Sequence, residues 1–345
     1  MEPASVRPLG RHGVTVTRLG LGGAPLGDMR ERVDEAQAWA TLQAAWDAGV
    51  RYFDTAPWYG RGLSEHRFGR FLSRCPRDEF SVSTKVGRVL RPAREPQRFD
   101  PAPWVGGLPF DVVFDYTYDG IMRSYEDSLQ RLGLARVDAL VVHDLDHWFH
   151  APEPRVQAYL NQLVTSGWRA LEELRGSGVG AVGVGFNEIG MIPRFAALFD
   201  VDFFLVAMRC TLADQSAAAE ELVLCEERGI DIVVGAPFQS GILVTGPIRG
   251  AQYDYAEASP DQLERVGRIA DLFDRHGVEL AAGALQFPAA HPRVAAVLAG
   301  ALSPEQVQTN VARASAAIPE VLWSDLRAAG LIRADVRVPQ GESAR

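Results

Sequence analysis

The sequence predicts an α/β protein that folds as one (β/α)8 barrel, the TIM-barrel fold, with an N-terminal β-hairpin and long loops at the barrel mouth. Eight apolar runs typical of strands alternate with segments of helical period along the 345 residues. Such alternation indicates a parallel sheet, and eight strands close most economically into a barrel of roughly 250 residues plus insertions. The first strand leads into GLGGAPLGDM, which lacks the GxGxxG spacing of a dinucleotide-binding open sheet. A doubly wound open sheet is therefore the less favoured alternative.

The predicted strands are RLGLG (18–22), VRYFDT (50–55), FSVSTK (80–85), DALVVH (138–143), GAVGVG (180–185), VDFFLVA (201–207), DIVVGA (231–236) and VAAVLAG (294–300). Helical segments between them include residues 34–49, 118–133, 161–178, 260–277 and 303–317. Glycine takes the left-handed conformation of a helix C-cap without steric penalty. We expect such caps at Gly49, Gly133, Gly178, Gly229 and Gly277, and helix N-caps at Ser259 and Ser303.

Three further segments complete the expected architecture. RPLGRHGVTVT is predicted to form a hairpin that turns near Arg11–Gly13 and closes the floor of the barrel. The longest insertion, residues 87–119, contains five prolines and several aromatic residues, so we interpret it as a loop that overhangs the mouth. A second insertion spans 144–157. We expect a single domain over residues 1–345, with its barrel core at about 9–330 and a disordered tail at 334–345.

Composition excludes several classes of function. The chain is 47% hydrophobic, but no apolar run approaches the roughly 20 residues of a transmembrane helix. The N-terminus lacks the apolar centre of a secretory signal, and three cysteines without metal-ligand spacing suit a reducing compartment. Cytoplasm is the expected location. A net charge of −9 argues against nucleic acid or an anionic membrane as partner.

The segment VRYFDTAPWYG carries the strongest sign of function. An apolar strand ends on Asp54, and Tyr59 follows five residues later. Two other predicted strands end on Lys85 and His143. In a (β/α)8 barrel the groups beyond the C-terminal strand ends converge on one mouth. We therefore expect Asp54, Tyr59, Lys85 and His143 to form an active site.

These four groups suit proton transfer at an alcohol or carbonyl. A phenol, with a reference pKa of roughly 10, is a poor base at neutral pH unless a cation stabilises its phenolate, and Lys85 can supply that cation. Asp54 would orient the amine, and His143 would hold the reacting oxygen. Because none of the four can accept a hydride, this chemistry requires a nicotinamide cofactor.

The second half of the chain offers groups for that cofactor. Asn187 follows the fifth strand, where its amide can pair with a carboxamide. The turn GAPFQSGIL (235–243) can wrap a pyrophosphate with backbone N–H groups, and GALSPEQVQTN (300–310) leads from the eighth strand into a helix start, a place that often holds phosphate. The candidate residues in these two segments are Pro237, Phe238, Ser240, Gly241, Leu243, Gly300, Gln306 and Asn310.

Over residues 9–330 the chain resembles the aldo-keto reductases. The resemblance rests on FDTAPWYG, STK, MRSYEDSLQRLGLARVDALVVHD, GFN, APFQSGIL and SPEQVQTN, which occur in family order. It implies that Asp54, Tyr59, Lys85 and His143 are a catalytic tetrad with Tyr59 as proton donor or acceptor, and that Asn187 binds the nicotinamide amide. FDYTYDGIMRSYEDSLQRLGL, VVHDLD and VSTKVGRVL are similar to family members that oxidise aldoses such as L-fucose, or pyridoxal. The resemblance thus implies oxidation of a cyclic hemiacetal to a lactone.

Two positions depart from the family pattern. MRCTLADQ puts Cys210 where the family usually has a tyrosine that stacks on the nicotinamide. Members that use NADP commonly carry Lys or Arg near the eighth strand, whereas this chain has Gly300, Leu302 and Gln306. NAD is therefore the favoured cofactor and NADP the alternative, because a 2′-phosphate would find few cationic partners there.

Other interpretations remain open at the level of sequence. Trp58 and Trp148 are candidates for the substrate pocket, although loop aromatics can simply pin a loop to the barrel. Histidines and aspartates at 143–150 are irregularly spaced for a metal site, and we predict none. Alternative functions are an NADPH-dependent reductase of many aldehydes and ketones, and a subunit that binds nicotinamide without turnover. The substrate is a small molecule, but neither its identity nor the oligomeric state follows from the sequence.

Overall fold

A closed barrel of eight parallel strands forms the centre of the protein. The computed structural model describes residues 1–340. A hairpin of β1 (Val6–Leu9) and β2 (Val14–Thr17) precedes the barrel. The barrel strands, in the order in which they pair around it, are β3 (Leu19–Gly22), β4 (Tyr52–Asp54), β5 (Ser81–Val86), β8 (Ala139–His143), β9 (Ala181–Phe186), β10 (Phe203–Ala207), β11 (Asp231–Gly235) and β14 (Val294–Gly300). Each predicted strand overlaps one of these, so the (β/α)8 prediction is confirmed.

Strand register brings the polar strand ends to one level. Asp54 pairs with Ser83 between β4 and β5, and Lys85 pairs with Val141 between β5 and β8. His143 pairs with Gly185 between β8 and β9. Because the strands are parallel, these side chains all lie near the C-terminal edge of the barrel.

The β1–β2 hairpin closes the opposite end of the barrel, as expected. The backbone N–H of Gly10 donates to the Asp231 carboxylate, 2.8 Å away, at the first residue of β11. Leu9 and Val16 join a buried cluster with Phe203, the first residue of β10. The apolar side chains of the hairpin therefore cover the N-terminal ends of the strands.

The insertion after β5 is ordered more regularly than the sequence suggested. It forms an antiparallel hairpin of β6 (Arg88–Pro92) and β7 (Phe110–Phe114), so the interpretation as a loop was wrong for its two ends. The segments RVLRP and FDVVF are rich in β-branched and aromatic residues, which favour strands. Of the five prolines, four lie in the connection between the strands, where no ladder hydrogen bond is needed. A smaller hairpin pairs β12 (Gln252–Tyr253) with β13 (Ala256–Glu257).

Helices surround the barrel and shield its strands. The five predicted glycine C-caps all have positive φ, and Ser259 and Ser303 cap helices with their side chains. The helices are α1 (Glu35–Asp47), α2 (Leu63–Leu72), α3 (Tyr118–Leu132), α4 (His147–His150), α5 (Glu153–Gln162), α6 (Trp168–Gly176), α7 (Met191–Leu198), α8 (Glu221–Arg228), α9 (Ile242–Thr245), α10 (Pro260–Arg275), α11 (Leu280–Gln286), α12 (Pro304–Ser315) and α13 (Glu320–Ala328), with a π-helical turn Leu163–Gly167 between α5 and α6.

The described part of the predicted disordered tail makes defined contacts. Val336 packs against the cluster that contains α10 and α13, and the Arg337 guanidinium pairs with Glu226 at 2.8 Å. Both residues thus contact the helix layer, and the disorder expected for the tail stays a prediction. Residues 341–345 of the predicted tail lie outside the described residues. Within residues 1–340, no helix is both long enough and apolar enough to cross a membrane.

Candidate active site

A buried ion pair between Lys85 and Asp54 forms the base of the site. The Lys85 Nζ lies 2.6 Å from Asp54 Oδ1 and also donates to the Thr55 carbonyl at 2.9 Å. The second Asp54 oxygen accepts the Ser83 hydroxyl at 2.7 Å, and the Tyr52 hydroxyl lies 3.1 Å from that of Ser83. Both ends of the carboxylate are thus fixed, which holds the buried ammonium in one position.

Tyr59 stands over this ion pair. The Lys85 Nζ lies 4.6 Å from the centroid of the Tyr59 ring, which is within the range of a cation–π contact. The ring also meets Trp104 at 5.7 Å and the His143 imidazole edge-on at 5.9 Å, measured between centroids. Burial, followed by the charges of Asp54 and Asp144, raises the pKa of Tyr59 well above its ordinary value. The phenol is therefore neutral at neutral pH.

His143 completes the group at the mouth. It is buried, and its Nδ1 has no hydrogen-bond partner among the described residues. Its backbone carbonyl accepts the Tyr116 hydroxyl at 3.0 Å. Burial and the nearby charges of Arg88 and Lys85 lower the pKa of His143 well below 6.5, so the imidazole is neutral. The structure therefore brings together all four of the side chains predicted for catalysis.

Two charged residues at the site were not predicted to belong to it. Arg88, the first residue of β6, is buried, and its Nη2 lies 2.5 Å from Asp144 Oδ2. Asp144 follows His143 directly and has a positive φ of 48°. Sequence analysis considered Asp144 only as a metal ligand and placed Arg88 in a loop. The available signal was an aspartate next to the predicted histidine and an arginine three residues beyond Lys85.

Asn187 lies next to this pair, one residue beyond β9. Its Nδ2 donates to Asp144 Oδ1 at 3.0 Å, and its backbone N–H donates to Asp146 at 3.1 Å. Its backbone carbonyl accepts from Arg209 Nε at 2.7 Å. The side-chain amide is thus held by its nitrogen, so its oxygen remains an acceptor for a ligand.

The loop after β11 has the backbone shape of an anion-binding turn. Ala236, Gln239, Ser240 and Gly241 all have positive φ, between 49° and 105°. Successive residues of this kind can point several N–H groups at one anion. The loop is pinned from outside by the Tyr255 N–H, which donates to the Ser240 hydroxyl at 2.9 Å.

The segment after β14 forms a second possible phosphate site. The Ser303 hydroxyl accepts from the Gln306 N–H as N-cap of α12, and Gln306 Oε1 accepts from the Leu302 N–H at 2.8 Å. Asn310 is buried and donates to the Gly300 carbonyl at 3.2 Å. The positive-φ loop and this helix N-terminus are both features of the kind that bind the phosphates of a dinucleotide.

A sequence profile of the Aldo/keto reductase family matches residues 18–330. The chain belongs to this family. It is 43% identical over 343 residues to a pyridoxal 4-dehydrogenase of Microbacterium luteolum, covering 96% of this chain and 99% of that protein. It is 40% identical over 337 residues to a D-threo-aldose 1-dehydrogenase of Pseudomonas sp., covering 96% and 98%. An aldo-keto reductase of Bacillus halodurans has a similar fold, with a TM-score of 0.73 at 24% identity over 96% of this chain and 98% of the other.

As an aldo-keto reductase, the protein is an oxidoreductase that acts on alcohol or carbonyl carbons with a nicotinamide cofactor. The family resemblance stated from the sequence is thereby confirmed, as is the barrel fold.

Cys210 occupies the position of the stacking tyrosine of aldo-keto reductases, and its contact with the nicotinamide stays a prediction. It is buried, and it lines a cavity of about 150 Å³ with Leu222 of α8, Phe287 and Val336. Those residues belong to the outer helix layer and the C-terminal segment, and no hydrogen bond joins Cys210 to the four mouth residues within the described chain. Burial, with a smaller contribution from Asp214, raises the pKa of its thiol to about 12.

The two predicted substrate-pocket tryptophans lie on different loops of the mouth. Trp58 meets Trp104 edge-on at 5.5 Å between centroids, next to Tyr59. Trp148 is 42% exposed and meets Tyr255 edge-on at 6.3 Å. Trp58 therefore forms part of the wall around the phenol, while Trp148 belongs to the rim.

Proposed function

We propose that this aldo-keto reductase oxidises a cyclic hemiacetal, of an aldose or of pyridoxal, to the lactone with NAD. The observation that carries the proposal is the convergence of Asp54, Tyr59, Lys85 and His143 around one buried phenol at the barrel mouth. The names of the two relatives of at least 40% identity, a pyridoxal 4-dehydrogenase and an aldose 1-dehydrogenase, support the choice of a hemiacetal over a simple ketone.

In the proposed reaction Tyr59 takes the proton of the hemiacetal hydroxyl. It must first be a phenolate, and the ammonium of Lys85, 4.6 Å from the ring centroid, favours that negative form. Asp54 keeps Lys85 charged and in place through the 2.6 Å contact. The neutral imidazole of His143 holds the reacting oxygen while the C=O bond of the lactone forms. A bound nicotinamide supplies the acceptor for the hydride that leaves the same carbon.

Asn187 and the two phosphate-binding features are proposed to hold the cofactor. The fixed amide of Asn187 presents its oxygen to the carboxamide, and the loop at 236–241 together with the start of α12 takes the pyrophosphate. We propose NAD over NADP because residues 300–310 contain no lysine or arginine and one acidic residue, Glu305. A 2′-phosphate would meet repulsion there instead of a cationic partner.

The test of this proposal is steady-state oxidation with NAD or NADP and a panel of L-fucose, D-arabinose, L-galactose and pyridoxal. Tyr59→Phe should reduce kcat/KM by about 10²–10⁴-fold, because the proton acceptor is lost, while NADH binding stays close to that of the wild type. Tyr118→Phe is the matched control, since that hydroxyl bonds Glu173 on the outside of the barrel, and it should leave kcat/KM unchanged.

Three results would contradict the proposal. Full oxidation by Tyr59→Phe would remove Tyr59 from the reaction. Reduction of aldehydes with NADPH, without oxidation of any compound in the panel, would favour a broad carbonyl reductase instead. Tight NADH binding with no turnover in either direction would favour the cofactor-binding subunit.

A further inference from the structure

We propose that Arg88 and Asp144 form a buried positioning pair that orients His143 and Asn187 together. One carboxylate, Asp144, would thereby fix both the imidazole that holds the substrate and the amide that holds the nicotinamide. The inference rests on the cofactor role proposed for Asn187 above, and it adds two residues to the site.

The contacts of Asp144 carry this inference. Its Oδ2 lies 2.5 Å from Arg88 Nη2 and 3.2 Å from His143 Nε2. Its Oδ1 accepts from Asn187 Nδ2 at 3.0 Å. Arg88 follows β5, His143 is the last residue of β8 and Asn187 follows β9, so the carboxylate links the ends of three barrel strands.

Arg88 is held in a way that suits a fixed rather than a mobile cation. Its side chain is 1% exposed. The guanidinium carbon lies 4.4 Å from the centroid of the Phe149 ring, and 5.2 Å from each of those of Trp58 and Phe114. These rings exclude water, which strengthens the attraction between Arg88 and Asp144 but raises the cost of leaving either one unpaired.

An anchor for the β6–β7 hairpin alone would explain only part of this arrangement. Such an anchor needs a carboxylate opposite Arg88, but it does not require the second oxygen of that carboxylate to hold Asn187. Nor does it require the carboxylate to follow His143 with a φ of 48°, a conformation that costs a non-glycine residue about 1–2 kcal/mol. The strain is consistent with a carboxylate that must point into the mouth.

The orientation of the Asn187 amide follows from Asp144. An ionised carboxylate only accepts hydrogen bonds, so it selects the nitrogen end of the amide and leaves the oxygen for a carboxamide N–H. A protonated Asp144 carries its own O–H donor, and the selection is then weakened. Binding of the nicotinamide should therefore depend on the charge of Asp144.

The charged surroundings of Asp144 place that dependence in an accessible range of pH. Burial raises the pKa of Asp144 to about 7, Arg88 and then Lys85 oppose the rise, and Asp146 adds to it. His143 and Tyr59 also face the carboxylate, but both are neutral at this pH. Removing the charge of Arg88 should move the titration of Asp144 to higher pH.

The experiment measures the Kd of NADH by fluorescence, without substrate, from about pH 5.5 to about pH 9. Wild-type Kd should increase on acidification through the titration of Asp144. Arg88→Met should move the midpoint up by about one pH unit or more and regain wild-type affinity above that midpoint. Arg88→Lys keeps the positive charge, so its midpoint should lie close to that of the wild type. Asp144→Asn should bind NADH about tenfold more weakly with no midpoint in this range.

Two controls separate positioning from general loss of structure. Asp202→Asn removes another buried carboxylate, paired with Arg175 at 3.0 Å at the floor of the barrel, and should keep the wild-type midpoint. Asp146→Asn should move the midpoint to lower pH, opposite to Arg88→Met, since the charge of Asp146 adds to the rise in the pKa of Asp144 while its oxygens accept only the backbone N–H groups of Asn187 and Phe149. The double variant Arg88→Met/Asp144→Asn removes both charges of the pair and leaves neither one unpaired. If a single variant does not fold, NADH binding is measured with the double variant instead.

The outcomes are distinguishable. Wild-type Kd at every pH in Arg88→Met, Asp144→Asn and the double variant would overturn the positioning role. An unchanged midpoint in Arg88→Met would overturn it as well. Failure of the wild-type protein to bind NADH at any pH would instead overturn the proposed function.

Discussion

Tyr59 lies in surroundings that oppose the loss of its phenolic proton. Burial is the main reason, and the carboxylates of Asp54 and Asp144 add to it. The charge of Arg88 opposes this rise in the pKa, and the Lys85 Nζ lies 4.6 Å from the ring centroid. The direction in which the enzyme works should therefore depend on pH, because oxidation needs the phenolate and reduction needs the phenol.

We expect kcat/KM for oxidation to rise with pH from about pH 6 to about pH 10, since the phenolate fraction of a group with a raised pKa still increases over this range. For reduction, kcat/KM should stay level at neutral pH and fall only in alkali. Initial rates in both directions test this. A decrease in the oxidation rate with rising pH across neutrality would mean that a group other than Tyr59 is the base.

At the residue scale, the sequence predicted the identities of the four mouth residues but not their electrostatics. That Asp54, Tyr59, Lys85 and His143 meet follows from their positions after parallel strands. That His143 is neutral, with Arg88 and Lys85 as nearby cations, depends on burial and on distances that no spacing along the chain encodes.

At the scale of elements, the β6–β7 hairpin is joined to the site through Gly87. This residue lies between the barrel strand β5 and the first hairpin strand β6 and has a φ of 96°. A Cβ atom built on Gly87 would lie 2.3 Å from Cε1 of Tyr116. Tyr116 in turn donates to the carbonyl of His143, so the close approach at Gly87 supports the imidazole.

Gly87→Ala should therefore destabilise the protein by about 3 kcal/mol or more, from backbone strain and overpacking combined. The matched control is Gly133→Ala at the end of α3, where φ is 61° and no atom lies within 4 Å of the added Cβ. That variant should lose only about 1–2 kcal/mol. Denaturant unfolding of both proteins provides the comparison, and equal losses would contradict the role given to the contact with Tyr116.

The structure of the insertion, residues 87–119, was not predicted correctly from its sequence pattern. Its prolines favoured a loop, whereas its two ends, RVLRP and FDVVF, pair as antiparallel strands. Because Arg88 was placed in that loop, the ion pair with Asp144 was not expected. Whether two segments some 20 residues apart pair as strands depends on the tertiary contacts that they make. Here both segments pack beside the aromatic side chains around Tyr59.

At the scale of the whole molecule, the proposed cofactor site joins loops that are distant in sequence but lie on one side of the barrel. Asn187 follows β9, the positive-φ loop follows β11, and Gln306 lies in the first turn of α12 after β14. A ligand that contacts all three should stabilise the entire fold, because it binds the folded chain and not the unfolded one.

NADH at about 100 times its Kd should add about 2.7 kcal/mol to the stability of the protein and raise its Tm, whereas NADPH at the same concentration should raise it less. Gln306→Arg should reduce the difference between the Tm increases with NADH and with NADPH, because the arginine offers a cation to the 2′-phosphate. Gln262→Arg is the control, since Gln262 occupies the same capping position at the start of α10. Thermal unfolding with each cofactor measures the effect, and a larger shift with NADPH for the wild type would contradict the preference for NAD.

The sequence by itself determined the barrel, its eight strands, its helix caps and the four polar groups at the strand ends, because each depends on local periodicity, on turn chemistry or on the direction of parallel strands. Only the tertiary structure decided that residues 87–119 begin and end as a hairpin, that Cys210 faces the outer helix layer, and that Arg88 and Asp144 lie between His143 and Asn187. These features depend on which side chains become buried together, and burial is a property of the closed barrel rather than of any one segment.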